Sequence, residues 1–201
     1  SAWPQISVVT PSYHPGRFLE QTIRSVLMQG YPKLEYVIID GASTDNSVGL
    51  IEKYSEHLSY WISEPDDGQS SAINKGLARC TGDIFNWLNS DDLLCPGALV
   101  AVAKAWAENR GSVIAGSLSM FRGDGSEKIV ASNALTRRTI IRWWEGSSQG
   151  SAFWQPATFL PVENVLQAGG VREDLHLVMD LFLLVQLLAT CPVTYIPDVL
   201  A

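Results

Sequence analysis

The feature that most restricts this chain is an alternation of strand-like and helix-like segments through residues 1 to about 110. Ile6-Ser7-Val8-Val9 is a short, largely β-branched run that stops at Thr10-Pro11. Leu19, Ile23, Val26 and Leu27 then recur at helical spacing until Gly30-Tyr31-Pro32. Tyr36-Val37-Ile38-Ile39 reads as a second buried strand, closed by Asp40-Gly41. Thr44 or Asp45 is placed to cap the next helix, which carries Val48, Ile51, Tyr54 and Leu58 on one side. Tyr60-Trp61-Ile62 and a turn at Pro65-Asp66-Asp67-Gly68 lead to a helix with Ala72, Ile73, Gly76, Leu77 and Cys80 inward. A fourth strand, Ile84 to Leu88, runs into Asn89-Ser90-Asp91-Asp92, and Pro96 opens a helix with Leu99, Val102, Ala103 and Trp106 inward. This rhythm calls for right-handed βαβ units and a mostly parallel sheet, an α/β fold.

From Ser112 the pattern changes to short strands, Val113 to Ala115 and Lys128 to Val130, separated by Gly-rich turns. A basic and aromatic stretch from Arg137 to Trp144 and a Gly/Ser-rich loop from Gly146 to Ser151 follow. A helix over about Leu177 to Thr190 then precedes a last strand at Val193 to Ile196. With 201 residues, 46% of them hydrophobic and 17% charged, the chain suits one globular domain that needs no staples. Cys80, Cys95 and Cys191 have no metal-type spacing and read as reduced structural thiols of a cytosolic protein. Ser1 to Gln5 is short and uncharged, so no signal peptide is expected, and the longest apolar stretch, Leu181 to Ala189, falls short of a membrane span.

The formal net charge of −7 argues against a nucleic acid partner. It leaves room for anionic ligands held through a divalent cation. In an open α/β sheet, ligands bind at the carboxyl ends of the strands. Polar residues collect there: Thr10 to Tyr13, Asp40 to Asp45, Glu64 to Gly68 and Asn89 to Asp92. Strand ends running into polar loops explain much of this, but adjacent Asp91 and Asp92 repel one another unless something positive sits beside them. Mn2+ or Mg2+ would answer that need and keep positions open for phosphate oxygens. Asp40 is either a turn residue before Gly41 or an acceptor for a ribose or base. Asp180, in an almost wholly apolar segment, is either a helix cap or a functional group tuned by its surroundings.

Taken in series, several pieces are similar to the inverting glycosyltransferases of the family commonly numbered 2. They are Val9-Thr10-Pro11-Ser12-Tyr13, Ile39 to Asp45, Ser63-Glu64-Pro65-Asp66 with Gly68-Gln69-Ser70, Ala72-Ile73-Asn74-Lys75-Gly76, Thr81-Gly82-Asp83 and Trp87 to Asp92. The resemblance runs from Ile6 to about Leu200. It implies a GT-A (nucleotide-diphospho-sugar transferase) fold: one domain, with a nucleotide-sugar-binding half to about residue 110 and an acceptor-side half after it. It further implies that Thr10, Pro11, Tyr13, Asp40, Asp66 and Asn74 serve the donor and that Asp91 binds the ribose or the metal. Asp92 would coordinate the metal beside the diphosphate, and Asp180 would be the catalytic base, with Gln155 to Phe159 on the acceptor side. The implied reaction moves a sugar from a nucleotide-sugar donor, expected to be a UDP-sugar, to a saccharide or lipid-linked acceptor. The implied location is the cytoplasm, at the cytoplasmic face of a membrane.

Two departures from the family's pattern stand out. Ser71 replaces an Asp common in relatives, and the chain stops at Ala201, where relatives continue with an Arg/His-containing segment, so a C-terminal truncation is expected. Trp143-Trp144 with Arg137, Arg138 and Arg142 either face a membrane-borne acceptor, giving peripheral membrane association, or pack inward beneath solvated arginines. The loop from Gly146 to Gly150 is a flap or a connector. His14, His57 and His176 show no ligand spacing. A nucleotidyltransferase would need a basic Gly-rich loop where Pro11 to Arg17 offers only Gly16 and Arg17. A silent nucleotide-sugar-binding module would bind its ligand without turnover that depends on Asp180.

Overall fold

A computed structural model describes residues 3–121, 125–132, 135–141 and 153–201. The order of elements is β1 (Ile6–Ser12), α1 (Leu19–Leu27), β2 (Leu34–Asp40), α2 (Ser47–Tyr54), β3 (Tyr60–Ser63), α3 (Gln69–Leu77), β4 (Ile84–Trp87) and α4 (Ala98–Glu108). There follow β5 (Val113–Phe121), β6 (Glu127–Ala131), α5 (Arg137–Ile141), β7 (Thr158–Pro161), α6 (Val162–Gln167), α7 (Met179–Leu187) and β8 (Val193–Val199). The βαβ rhythm of the first half is present as read. Among the described residues the strands form one sheet in the order β3-β2-β1-β4-β7-β5-β6, with β8 beside β5.

The pairs β1–β2, β1–β4, β2–β3 and β5–β8 are parallel, while β7 is antiparallel to β4 and β5, and β6 to β5. The sheet is thus mostly parallel, as expected. Alternation along the strands divides the core in two. Ile6, Val8, Tyr36, Ile38 and Ile84 face α1, α2 and α4, meeting Leu19, Ile23, Ile51, Leu99 and Val102. Val9, Val37, Ile39, Phe85 and Trp87 face α3, α6 and α7, meeting Ile73, Leu77, Val165, Leu183 and Leu187. On that side α3 lies so close to β1 that a Cβ at Gly76 would come within 2.4 Å of Val9. Only glycine allows this approach, and it seats the N-terminus of α3 beside the carboxyl ends of β1 and β2.

Several sequence readings need correction. Thr158–Pro161 is a strand that was not anticipated, because its pairing with β4 and β5 is entirely tertiary. The fourth strand ends at Trp87, with Leu88 beyond it. Pro96 does not open a helix, since α4 starts at Ala98 after Gly97. Cys80 lies past the end of α3 and sends its thiol to the Gly76 carbonyl, and burial pushes that thiol up to about 12. All three cysteines are free, Cys191 buried and the others partly so. Neither Thr44 nor Asp45 is the N-cap of α2, which is Asn46, although Asp45 just before it accepts the Ser47 N–H at 3.0 Å. Arg137 and Arg138 are exposed on α5 above buried Ile140. Arg142, Trp143, Trp144 and the loop from Gly146 to Gly150 lie outside the described residues. Among the described residues no helix is long and apolar enough to cross a membrane.

Candidate active site

The carboxyl ends of the parallel strands open into a cavity of about 810 Å³, within the range typical of small-molecule sites. Pro11, Ser12 and Tyr13 supply one wall, Gly41 the next, then Pro65, Asp66 and Gly68; Gln69 and Ala72 of α3 and Asn89, Ser90 and Asp91 close it. Of the sequence-derived donor residues, Pro11, Tyr13, Asp66 and Asp91 therefore meet at one surface. Tyr13 is 66% exposed on the cavity wall. Asp66 accepts the Gly68 N–H at 2.9 Å, which fixes the turn before α3.

Three predicted donor residues are placed differently. The Thr10 side chain is fully buried and shares a 3.0 Å hydrogen bond with the Tyr36 hydroxyl. Asp40 is 0% exposed. Its carboxylate accepts from Ser12 Oγ (3.0 Å), Ser43 N (2.8 Å), Ser43 Oγ (2.6 Å) and Ser63 Oγ (2.7 Å). It is neither a simple turn residue nor a cavity wall in this structure; it ties the ends of β1, β2 and β3 together beneath the cavity. The Asn74 side chain is engaged with Val171 and Glu173, on the far side of α3 from the cavity lining.

Asp91 is exposed and Asp92 partly buried. Burial first, and then the neighbouring charge of Asp91, push the Asp92 carboxyl up to about 6, against the Asn89 amide that donates to its Oδ2 at 3.0 Å. Behind it, Thr22 Oγ1 donates to the Asp92 carbonyl and Ser25 Oγ accepts the Leu94 N–H, so α1 braces the acidic loop. Among the described residues no cluster of three or more His, Cys, Asp or Glu side chains is arranged to hold a metal. Asp91 and Asp92, which form no ion pair among the described residues, nevertheless fit Mn2+ or Mg2+, ions bound by one or two carboxylates together with substrate phosphates and water.

Asp180 lies in the first turn of α7, and its Oδ1 accepts the Leu181 N–H at 2.8 Å. The cap position is Val178, so Asp180 is not the N-cap. Desolvation raises its pKa, opposed by the backbone N–H groups of Leu181 and of Asp180 itself. The cause is visible around it, in a niche lined by Trp87, Phe153, Thr158, Leu160 and Leu184, where Gln155 donates its amide to the Trp87 carbonyl. Its neighbour Met179 lies against Ser70 in the first turn of α3, which brings the start of α7 up to the edge of the cavity.

His14, set aside in the sequence for want of ligand spacing, organises the rim. Its ring lies tilted against Tyr13 with the ring centroids 4.2 Å apart, its backbone N–H donates to Ser43 Oγ, and its Nε2 accepts the Thr44 N–H at 2.9 Å. That bond uses a lone pair on Nε2. His14 and Ala42 both hold positive φ, 46° and 61°, where the two loops meet. Nothing in the sequence around His14 announces this. Gln69 and Asn89 stood inside recognisable motifs, which was the available signal for their place on the cavity wall.

The family model "Glycosyl transferase family 2" matches residues 7–159. An uncharacterized glycosyltransferase of Mycobacterium tuberculosis is 28% identical over 193 residues, covering 95% of this chain and 72% of the relative. A putative teichuronic acid biosynthesis glycosyltransferase, TuaG of Bacillus subtilis, is 37% identical over 92 residues, which is 44% of this chain and 36% of that protein. Among solved structures, S. aureus TarS 1-349 in complex with UDP-GlcNAc superposes with a TM-score of 0.78 at 18% identity, over 98% of this chain and 57% of that one. A mannosyltransferase of Pyrobaculum calidifontis in complex with GDP-Man and Mn2+ gives a TM-score of 0.72 at 20% identity, over 99% of this chain and 56% of its own. The chain thus spans less than two thirds of these solved structures. Its architecture is the GT-A fold. With its motifs, its cavity at the strand ends and a match over most of its length, this chain belongs to glycosyl transferase family 2.

Proposed function

We propose that the chain transfers a hexose from a UDP-sugar to a hydroxyl of a saccharide or lipid-linked acceptor, in polysaccharide, cell-wall or glycolipid synthesis. The observation that carries this is the cavity of about 810 Å³ with Tyr13, Asp66 and Asp91 on its walls. An exposed aromatic ring and flanking carboxylates suit a nucleoside: the ring stacks on a base, and the carboxylates accept hydrogen bonds from base and ribose. The teichuronic acid assignment of the Bacillus relative and the UDP-GlcNAc complex of TarS support a cell-wall polymer and a uridine donor. Work at the cytoplasmic face of a membrane would follow from a lipid-linked acceptor.

Asp92 would hold Mn2+ or Mg2+ beside the donor diphosphate, with Asp91 on the ribose or the metal, and the ion would supply Lewis-acid stabilisation of the leaving phosphate. Asp180 accepts the proton of the acceptor hydroxyl as that oxygen attacks the anomeric carbon from the face opposite the leaving group. Its desolvated niche raises its pKa, which improves it as a base. One displacement inverts the anomeric centre without a covalent enzyme intermediate.

Calorimetric titration with UDP, GDP and dTDP, with and without Mn2+, tests the donor site. The expected result is Mn2+-dependent binding of UDP that is lost in Asp92→Ala. Binding of none of the three nucleotides would sink the donor-site reading. The anomeric configuration of the product, read by NMR, decides inversion, and turnover that survives in Asp180→Asn would remove Asp180 as base.

A further inference from the structure

Asn74 stands in a motif that the family resemblance assigns to the donor, yet its side chain is fully engaged elsewhere. Its Oδ1 accepts the Val171 N–H at 2.9 Å, while its Nδ2 donates to the Val171 carbonyl and to Glu173 Oε1, both at 2.8 Å. A primary amide has two N–H donors, and both are taken. The Asn74 amide pairs with Val171 as a neighbouring strand would, satisfying both backbone groups of a buried residue. The loop is shaped to receive it. Gly170 sits at φ 75, and a Cβ there would come within 2.5 Å of Asn74 Oδ1.

The clamped segment leads through the mostly exposed residues 172–178 into α7. Val171 is followed by the exposed Arg172 to Asp174 stretch and by Leu175 to Val178, then by Met179, which lies against Ser70, and Asp180. Ser70 and Asn74 are four residues apart on α3, hence one above the other on one helix face. The first residue of that helix, Gln69, lines the donor cavity. One face of α3 therefore grips the approach to Asp180 while its N-terminus bounds the donor site.

We infer that Asn74 is a positioning residue: by clamping Val171 and Glu173 to α3 it sets where α7 begins, and so where the Asp180 carboxylate stands relative to the donor cavity, without touching the donor. The role for Asp180 rests on the proposed transfer reaction; the clamp itself does not.

The test compares the whole chain with Asn74→Ala, Asn74→Asp and the double variant Asn74→Asp/Glu173→Gln. The readouts are UDP affinity with Mn2+, kcat and donor KM with a UDP-sugar, and amide hydrogen exchange across residues 169–182. Asn74→Ala is expected to bind UDP within about threefold of the wild type, to lose about 10–100-fold in kcat at little-changed donor KM, and to exchange faster across 171–182. Asn74→Asp is expected to lose more, because it sets a carboxylate against the Val171 carbonyl and Glu173. Adding Glu173→Gln restores a donor to that carboxylate and recovers part of kcat, a rescue no donor contact would show. An Asn74→Ala protein with tenfold weaker UDP binding and unchanged exchange overturns the inference, as does one with wild-type kcat. If the wild type binds no nucleotide, only the donor-site reading fails; the exchange arm still decides the clamp, and unchanged protection across 171–182 overturns it.

Discussion

Gln69 on α3 donates its side-chain amide to Asn89 Oδ1 at 2.6 Å, and Asn89 in turn donates to Asp92. The acid proposed to face the metal is thus oriented through two amides by the helix that bounds the donor cavity. Outer partners of metal-binding carboxylates typically change affinity 10–100-fold when removed. Asn89→Ala is expected to weaken Mn2+-dependent UDP binding about 10-fold, whereas Asp92→Ala abolishes it. Calorimetry of the two variants side by side checks the ranking, and equal losses would mean that Asn89 binds the ligand itself.

Asp180 offers a prediction with two signs. Asp180→Asn removes the proton acceptor and should lower kcat by about 10³-fold or more, given the usual worth of a positioned base together with the lost charge. UDP affinity should stay unchanged.

The same variant should be more stable at neutral pH. Burial raises the folded-state pKa of Asp180 above its ordinary value of 3.8. Between the two values the native state holds more proton than the unfolded chain, so stability falls as pH rises through that window. The penalty is absent below the unfolded pKa and complete above the folded one. Asp180→Asn deletes it, and a gain of about 0.5–2 kcal/mol is the usual yield of relaxing a functional site. Urea midpoints at pH 4 and pH 7 check this; the variant's advantage must be larger at pH 7.

Asp40 gives the opposite stability outcome. Replacing its buried carboxylate by Ala leaves three serine hydroxyls and one N–H without their acceptor. At about 1–3 kcal/mol per buried unsatisfied group, partly relieved by rearrangement, a loss of at least about 3 kcal/mol is expected. Asp40→Asn keeps one acceptor oxygen and should lose less. Nucleotide affinity should fall in step with the distortion of Ser12 and Gly41, both on the cavity wall.

Gly76→Ala should cost about 1–3 kcal/mol by pushing α3 off β1, since the new methyl would overlap Val9. A denaturation midpoint equal to the wild type's would mean that β1 yields without strain.

The parallel half of the fold could be read from its residues because local pattern and tertiary position agree there. Tyr36 to Ile39 is a continuous apolar run, and the strand it forms is buried on both faces. Thr158–Pro161 carries no such signal: four residues ending in proline become a strand only because β4 and β5 lie on either side. The site follows the same division. Motif order located Pro11, Tyr13, Asp66 and Asp91 on one cavity, because each sits where a strand hands over to a loop. It did not reveal which way Thr10, Asp40 and Asn74 point. That depends on strand parity at Thr10, on three converging serines at Asp40 and, at Asn74, on a glycine loop that ends 97 positions away.

The late strand β7 has a consequence for how this protein is made. Until Thr158–Pro161 is in place, Ile84–Trp87 is the open edge of an apolar sheet, since β7 is its partner on that side among the described residues. A nascent chain carrying only the donor-side half would present that edge to other chains, with the aggregation hazard that unpaired strands bring. One sheet runs through both halves. An expression boundary set near residue 110 would cut the sheet at its seam, and the fragment would be expected to precipitate instead of yielding a minimal nucleotide binder.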